Sequence, residues 1–520
     1  CDLMTAVLAV DLGSTGIKVA VVDGDGRVRG VAGEVIPLVF VDRGGVEQDP
    51  HAWWAALGRC ARQAVERSSL TASDIGLVAV TSQYTSTTPV DAEGLPLANT
   101  IMWMDGRGRR HRTPYSSDFA RFVDLHGLAP GDTDDVSHVD VFRALVPDVY
   151  AQAHAFVEPM DALAARLTGR VTATQNTMFP MLSCDNRTWG STSYSDEVLA
   201  MSGMPADKLP ALVGLGEPRG AITAAAAEHL GVSPNAVVTG ATIDSVTSAV
   251  GTGAISADRC GLIIGTTAVM ATHLPDKRHD MAHGLTAAPS PLPQSWFLVA
   301  ENGIGGKALD VFVNNMVFAD DGLGRPAHPG GYDEVLAAAA AVPCGANGVL
   351  FLPWLVGSMA PGFDRRQRGG FVNIGLATTR ADMARAVLEG VACNVAWLLP
   401  HFSALAGHRY DEFTFGGGGA RSALWGQILA DACGVRVRRL AESSCTNAHG
   451  AALLALAETG VCAIDDLPSF LVTEELHEPD PAAHRVLAAR AATLADFHDT
   501  TSPFYAAFDR GRTEHKEPTT

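Results

Sequence analysis

The sequence predicts an α/β fold, and three observations carry that prediction. Short apolar strands alternate with helical patterns, as in layered sheets and helices. The first strands are joined by tight glycine turns. A similar strand–turn–strand opening recurs roughly 250 residues later, which suggests two related halves.

The elements follow in order. Ala6-Val7-Leu8-Ala9-Val10-Asp11 is an apolar run ending in an acid. The turn Gly13-Ser14-Thr15-Gly16 leads into Ile17-Lys18-Val19-Ala20-Val21-Val22-Asp23, and Gly24-Asp25-Gly26 turns the chain again. This reads as an antiparallel meander. Pro50 to Ser68 reads as a helix with Trp53, Trp54, Leu57 and Ala61 on one face. Gly76 to Val80 reads as a strand. Mid-chain, Gly261 to Met270 repeats the opening around Gly265-Thr266-Thr267. Asp320 to Asp333, rich in glycine and proline, reads as an exposed loop. Thr379-Arg380-Ala381-Asp382 is a capping box ahead of a helix with Met383, Val387, Leu388, Val391 and Val395 inward. The polar end from Arg510 is expected to fray. The division expected is residues 1–250, residues 251–500 and a tail of 501–520, with the boundary near Asp244 to Ala257.

The composition narrows the function. The chain has 520 residues, 47% of them apolar, enough for two or three domains with real cores. The 57 acidic residues outnumber 38 basic ones, for a net charge of −19, which argues against nucleic acid and anionic membrane surfaces as partners. No apolar run approaches the ~20 residues of a membrane span. The start lacks a basic leader pattern. Nine scattered cysteines, none as CxxC, read as reduced thiols of a cytoplasmic protein.

Common catalytic motifs are absent. Gly306-Lys307 is followed by Ala308, and Glu301 occupies the first position of a would-be P-loop. There is no HExxH, GxSxG or GxGxxG. Other segments offer chemistry. Amides and hydroxyls of Gly13, Ser14 and Thr15 suit phosphate oxygens, Asp11 suits Mg2+, and Lys18 suits a phosphate as a point charge. An ordinary hairpin with a capping aspartate gives the same pattern. Asp244 follows the apolar strand Ala236-Val237-Val238-Thr239, where an acid at a cleft floor takes a proton from a sugar hydroxyl. A helix N-cap reads identically. Gly416 to Gly419 follow Phe413-Thr414-Phe415 and precede a helix, so a ligand can approach the backbone closely there. A flexible loop is the alternative.

Taken together, these residues resemble the FGGY carbohydrate kinases of the actin-like ATPase superfamily, nearest the xylulose kinase branch. The resemblance runs from about Ala6 to Gly460. It rests on Asp11 to Lys18, on Glu47-Gln48-Asp49-Pro50 with Trp53-Trp54, and on Ile101 to Arg107. Arg166-Leu167-Thr168-Gly169, the Asp244 segment, Arg380 to Gly390, Gly417 to Trp425 and Gln427 to Asp431 complete it.

The resemblance implies two actin-like (ribonuclease H-like) domains flanking a deep cleft. Sugar binds mainly on the first domain and ATP with Mg2+ mainly on the second. It implies Asp244 as the catalytic base and Asp11 as the Mg2+-linked acid, with both near the metal. Gln83, Tyr84, Thr85, Trp103 and Asp105 are expected at the sugar. Gly13, Ser14, Thr15, Lys18, Gly265, Thr266, Thr267, Gly303, Gly305, Gly418, Gly419, Ala420 and Ser422 are expected at the nucleotide. A homodimer is a further expectation from the family.

The chain also departs from that pattern. Gln83-Tyr84-Thr85 stands where xylulose kinases resemble Gln-Met-His and glycerol kinases Gln-Arg-Glu. Ser245 replaces a usual asparagine, Asn373 a usual glycine, and Ser358-Met359-Ala360-Pro361 a usual Glu-Arg-x-Pro. These changes cluster at the sugar and the second-domain cleft. The acceptor expected is a ketose such as xylulose, or a related polyol or sugar acid. Two other readings stay open: a sugar- and nucleotide-binding sensor without efficient transfer, and an actin-like ATPase acting on protein partners.

Overall fold

Alternation sets the first strand at the centre of its sheet. In Ala6–Gly13, Leu8, Val10 and Leu12 point to one face and Val7 and Ala9 to the other, and all are buried. A strand covered on both faces needs this continuous apolar run. The computed structural model describes residues 6–323, 326–328 and 330–514. Gly16–Val22 and Val28–Val35 complete the expected meander, while Ile75–Ser82 pairs parallel on the other side.

The first sheet runs Gly220–Ala221, Val237–Val238, Ile75–Ser82, Ala6–Gly13, Gly16–Val22, Val28–Val35, with Thr242–Ile243 also beside Ile75–Ser82. The second sheet has eight strands. At its centre Gly261–Ile264 pairs antiparallel with Thr267–Leu274 and parallel with Glu412–Gly416. Each sheet therefore holds a central strand, an antiparallel hairpin on one side and a parallel neighbour on the other. The two halves that the recurring glycine turns suggest share this topology.

The helix Pro50–Ser68 begins where Asp49 caps it, its side chain accepting from His51 N at 2.8 Å, with proline in the first turn. Trp53, Leu57 and Ala61 are buried as expected. Trp54 lies at the edge of that face: it is half-buried against the same core and stacks on His229 at 4.5 Å, with Arg166 over its ring at 4.4 Å. Successive helical residues differ by about 100°, so the two tryptophans meet different neighbours. The capping box forms as read: Thr379 accepts from Asp382 N at 3.2 Å and Asp382 from Thr379 N at 2.7 Å, opening the helix Arg380–Ala406.

One contact crosses the expected division, and one expectation about the tail needs correction. The helix Thr446–Glu458 lies among residues assigned to the second half, yet Ala448, Ala451, Ala452 and Leu453 pack beneath Val7, Ala9, Ala20 and Val22 of the first sheet. It crosses the helix Asp244–Gly251 so closely that a Cβ on Gly450 would overlap the Thr247 carbonyl. Secondly, the tail expected from residue 501 is the continuation of the helix Pro481–Glu514. Ser502 Oγ donates to Asp364 at 2.5 Å and Tyr505 OH to the Arg368 carbonyl at 3.0 Å. Residues 515–520 lie outside the described residues. So do 324, 325 and 329 of the expected Asp320–Asp333 loop, whose end is the start of a helix, Gly331–Ala340. Among the described residues, no helix is long and apolar enough to cross a membrane.

Candidate active site

Parallel register brings the first-half residues together. Leu12 pairs with Ser82, and Ser82 with Ile243. Asp11, Gln83 and Asp244 therefore leave the same ends of three adjacent strands. Such carboxyl ends form the crevice of an open α/β sheet. By alternation Asp11 points to the face of the helix Thr446–Glu458, and Asn447 hydrogen-bonds its carboxyl. Ser248 in turn donates to Asn447 Oδ1 at 2.6 Å.

The two acids hold their protons unusually well. Burial raises Asp11 to about 6, against the lowering effects of Lys18 and Asn447. Burial, then the charges of Asp11 and Glu301, raise Asp244 to about 7 despite its hydrogen bonds to Ser245. A carboxyl poised near neutrality suits a general base. Asp244 is the first residue of its helix, and its side chain does not serve as the cap.

On the side where a sugar is expected, Gln83 is buried and its Oε1 accepts from Ser14 Oγ at 3.1 Å. The Trp103 indole is 44% exposed and donates to Ser14 Oγ at 2.9 Å. Tyr84 stands against Ser245, Asp244 and Glu301, and burial followed by the two acids pushes its hydroxyl well above the usual range. Glu301 comes from the second half. It sits at a bulge where Ala268 pairs with Gly303 and Val269 with Glu301, and Asn302 turns inward to the carbonyls of Ala360 and Asn394. Burial raises Glu301, and Arg365 opposes the shift.

The second half offers an open turn. A Cβ on Gly265 would meet nothing within 4 Å, and Thr266 is exposed. Gly305 N donates to the Thr266 carbonyl at 3.0 Å and Gly306 N to the Gly265 carbonyl at 2.8 Å, so the following helix is seated on the turn's backbone. Gly418 lies nearby, at the end of the parallel neighbour Glu412–Gly416, and is likewise open.

Two family models match this architecture in order. The N-terminal domain of the FGGY family of carbohydrate kinases matches residues 6–251, and the C-terminal domain matches residues 260–459. The chain belongs to the FGGY family of carbohydrate kinases. It is 30% identical to a glycerol kinase of Methylibium petroleiphilum, over 96% of this chain and 100% of that one. It is 25% identical to a xylulose kinase of Staphylococcus epidermidis, over 92% of this chain and 93% of the relative. Its fold matches the crystal structure of xylulose kinase from Rhodospirillum rubrum with a TM-score of 0.81 at 23% identity, covering 96% and 100% of the two chains.

Several site residues of this FGGY kinase lie elsewhere than expected. Asp105 is fully buried and does not face the cleft: its carboxylate accepts from Val46 N at 2.8 Å and pairs with Arg107 at 2.7 Å. Its oxygens hold the fold together and leave nothing for a sugar. Ala420 is also buried, with its carbonyl taken by Arg439 at 3.1 Å, and a Cβ on Gly419 would press on Ile264 at 2.9 Å. Of the four consecutive glycines only Gly418 is open, because the others allow close packing against neighbouring strands and Thr446. Ser422 caps the next helix, accepting from Trp425 N at 3.2 Å. Lys18 lies beside Asp11, but its ammonium donates to the Ser444 carbonyl at 2.8 Å. Thr15 is exposed at the rim of its turn, and Gly303 takes φ +100°, open to the second half's loop at Met359. Glu301 and Asn447 escaped sequence reasoning. Each sits in a segment without a motif, and the only signal was Glu301 at a failed P-loop position.

Proposed function

We propose that this FGGY kinase transfers the γ-phosphoryl group of ATP to a hydroxyl of a ketose such as xylulose, or of a related polyol or sugar acid. In this reading residues 1–250 hold the acceptor and residues 251–500 the nucleotide. The observation that carries it is the convergence of Asp11, Gln83 and Asp244 on one crevice, with Glu301 meeting Tyr84 from the second half. Asp244 takes the proton of the acceptor hydroxyl as its oxygen attacks the γ-phosphorus and ADP leaves. Gln83 and Trp103 orient the acceptor, and the open turn Gly265-Thr266-Thr267, with Thr266 exposed, faces the phosphates.

The residues fit a magnesium ion. Asp11 raises the proton affinity of Asp244, so two carboxylates stand close enough for a cation to relieve their repulsion. Among the described residues no group of three or more ligating side chains assembles, which suits an ion held by two carboxylates and substrate phosphates. Mg2+ there supplies charge neutralisation at the phosphates.

Coupled ADP release with Mg2+-ATP across pentuloses, hexuloses, polyols and aldonates tests the proposal. One acceptor should turn over, and Asp244→Ala should lose about 100-fold or more of that rate while still binding ATP. Normal turnover by Asp244→Ala would sink the assignment. ATP binding without turnover on any acceptor would favour the sensor reading.

A further inference from the structure

Behind the acceptor turn lies a buried acidic cluster that reaches no part of the cleft. Glu158 follows the strand Ala155–Val157 and precedes the helix Pro159–Thr168. It is fully buried, as are Asp135 and His138. Its two carboxyl oxygens accept from consecutive backbone amides, Thr85 N at 3.1 Å and Ser86 N at 3.2 Å. Thr85 takes φ +56°, a left-handed conformation unfavourable for a β-branched residue. Ser86 Oγ accepts from Trp103 N at 3.1 Å, so one turn carries both Tyr84 and the support of Trp103. The next residue continues the cluster: Thr87 Oγ1 donates to Asp135 at 2.6 Å and lies 3.0 Å from His138 Nδ1. An apolar side chain would fill this space without the cost of burying an acid.

We propose that Glu158 is a positioning residue for the acceptor site, clamping the Tyr84–Ser86 turn in its left-handed form and so setting Tyr84 against Asp244. The proposal rests on the kinase reading of that site. The protonation state agrees with it. Burial, then Asp135, push Glu158 well above the usual carboxylate range. A protonated carboxyl donates to Asp135 while its oxygens still accept from the two amides.

Steady-state kinetics of Glu158→Leu and Glu158→Gln, on the acceptor found by the panel, test the clamp. Glu158→Leu loses both acceptors, and the KM for the acceptor should rise about tenfold or more with the KM for ATP unchanged. Glu158→Gln keeps one carbonyl oxygen and should fall between, with a rise of about threefold. An unchanged acceptor KM in both variants, or equal rises for acceptor and ATP, overturns the proposal. Should Glu158→Leu fail to fold, Glu158→Gln alone decides by the same split. If the wild-type protein phosphorylates nothing, the kinase reading fails, and a crystal structure of Glu158→Gln judges the clamp. Departure of Thr85 from positive φ supports it. Thr85 unmoved, with Tyr84 still against Asp244, overturns it.

Discussion

The two glycine-hydroxyl turns share a sequence signature and face one cleft, but their surroundings give them different tasks. In the first, Ser14 is woven into the wall proposed to hold the acceptor. Its hydroxyl joins Gln83 and Trp103, and its carbonyl accepts from Gln48 Nε2 at 2.8 Å. In the second, the backbone is held and the side chains are free: the carbonyls of Gly265 and Thr266 receive the amides of Gly306 and Gly305. A hydroxyl already bonded to two neighbours orients those neighbours, whereas an open turn on a fixed backbone is preorganised for a ligand. Hairpin geometry is common to both, so the difference comes from what each turn packs against.

The largest expected break in this comparison is Gly306→Val. Even a Cβ there overlaps the Gly265 carbonyl, so the second turn must shift. The KM for ATP should rise about 100-fold, while acceptor binding to the first half changes little. Kinetics with acceptor and nucleotide varied separately read this out. Ser14→Ala is the converse experiment. It leaves Gln83 Oε1 and Trp103 Nε1 without a shared partner, and the KM for the acceptor should rise about tenfold with the KM for ATP unchanged. A rise in the ATP constant instead would return Ser14 to the phosphates.

Asp105→Asn sharpens the boundary of the acceptor wall. It weakens a buried ion pair, at a cost of about 3 kcal/mol. Lower thermal stability with unchanged acceptor preference is the expected result, and altered preference would place Asp105 back at the sugar. The remaining test is a pH dependence. Asp11 at about 6 and Asp244 at about 7 bind protons more tightly folded than unfolded, where the ordinary value is 3.8. Their contribution to stability is fully present below the unfolded value of 3.8 and is lost progressively as pH rises from there to about 6 for Asp11 and about 7 for Asp244. The melting temperature of the ligand-free protein should therefore fall across that window, and Asp244→Asn should flatten the fall.

Much of this molecule was legible in the chain. The meander, the helix from Pro50, the recurring hairpin and the capping box are local patterns, set by residues a few positions apart. The glycine turns and the acid at each strand end marked Asp11 and Asp244 in the same way. Other roles depended on contacts across hundreds of residues, for which a single sequence carries no local mark. Asp105 looks like a turn aspartate facing a cleft until Val46 and Arg107 close over it. Four glycines look like a ligand loop until Ile264 and Thr446 account for most of them. Glu301 and Asn447 reached the crevice only when separate segments were folded against it, and Glu158 was brought only to the back of the Tyr84–Ser86 turn. Periodicity and capping determined where strands and helices lie. Packing decided which polar groups are consumed inside the protein and which remain for chemistry, because a buried donor or acceptor must find its partner wherever the fold brings one.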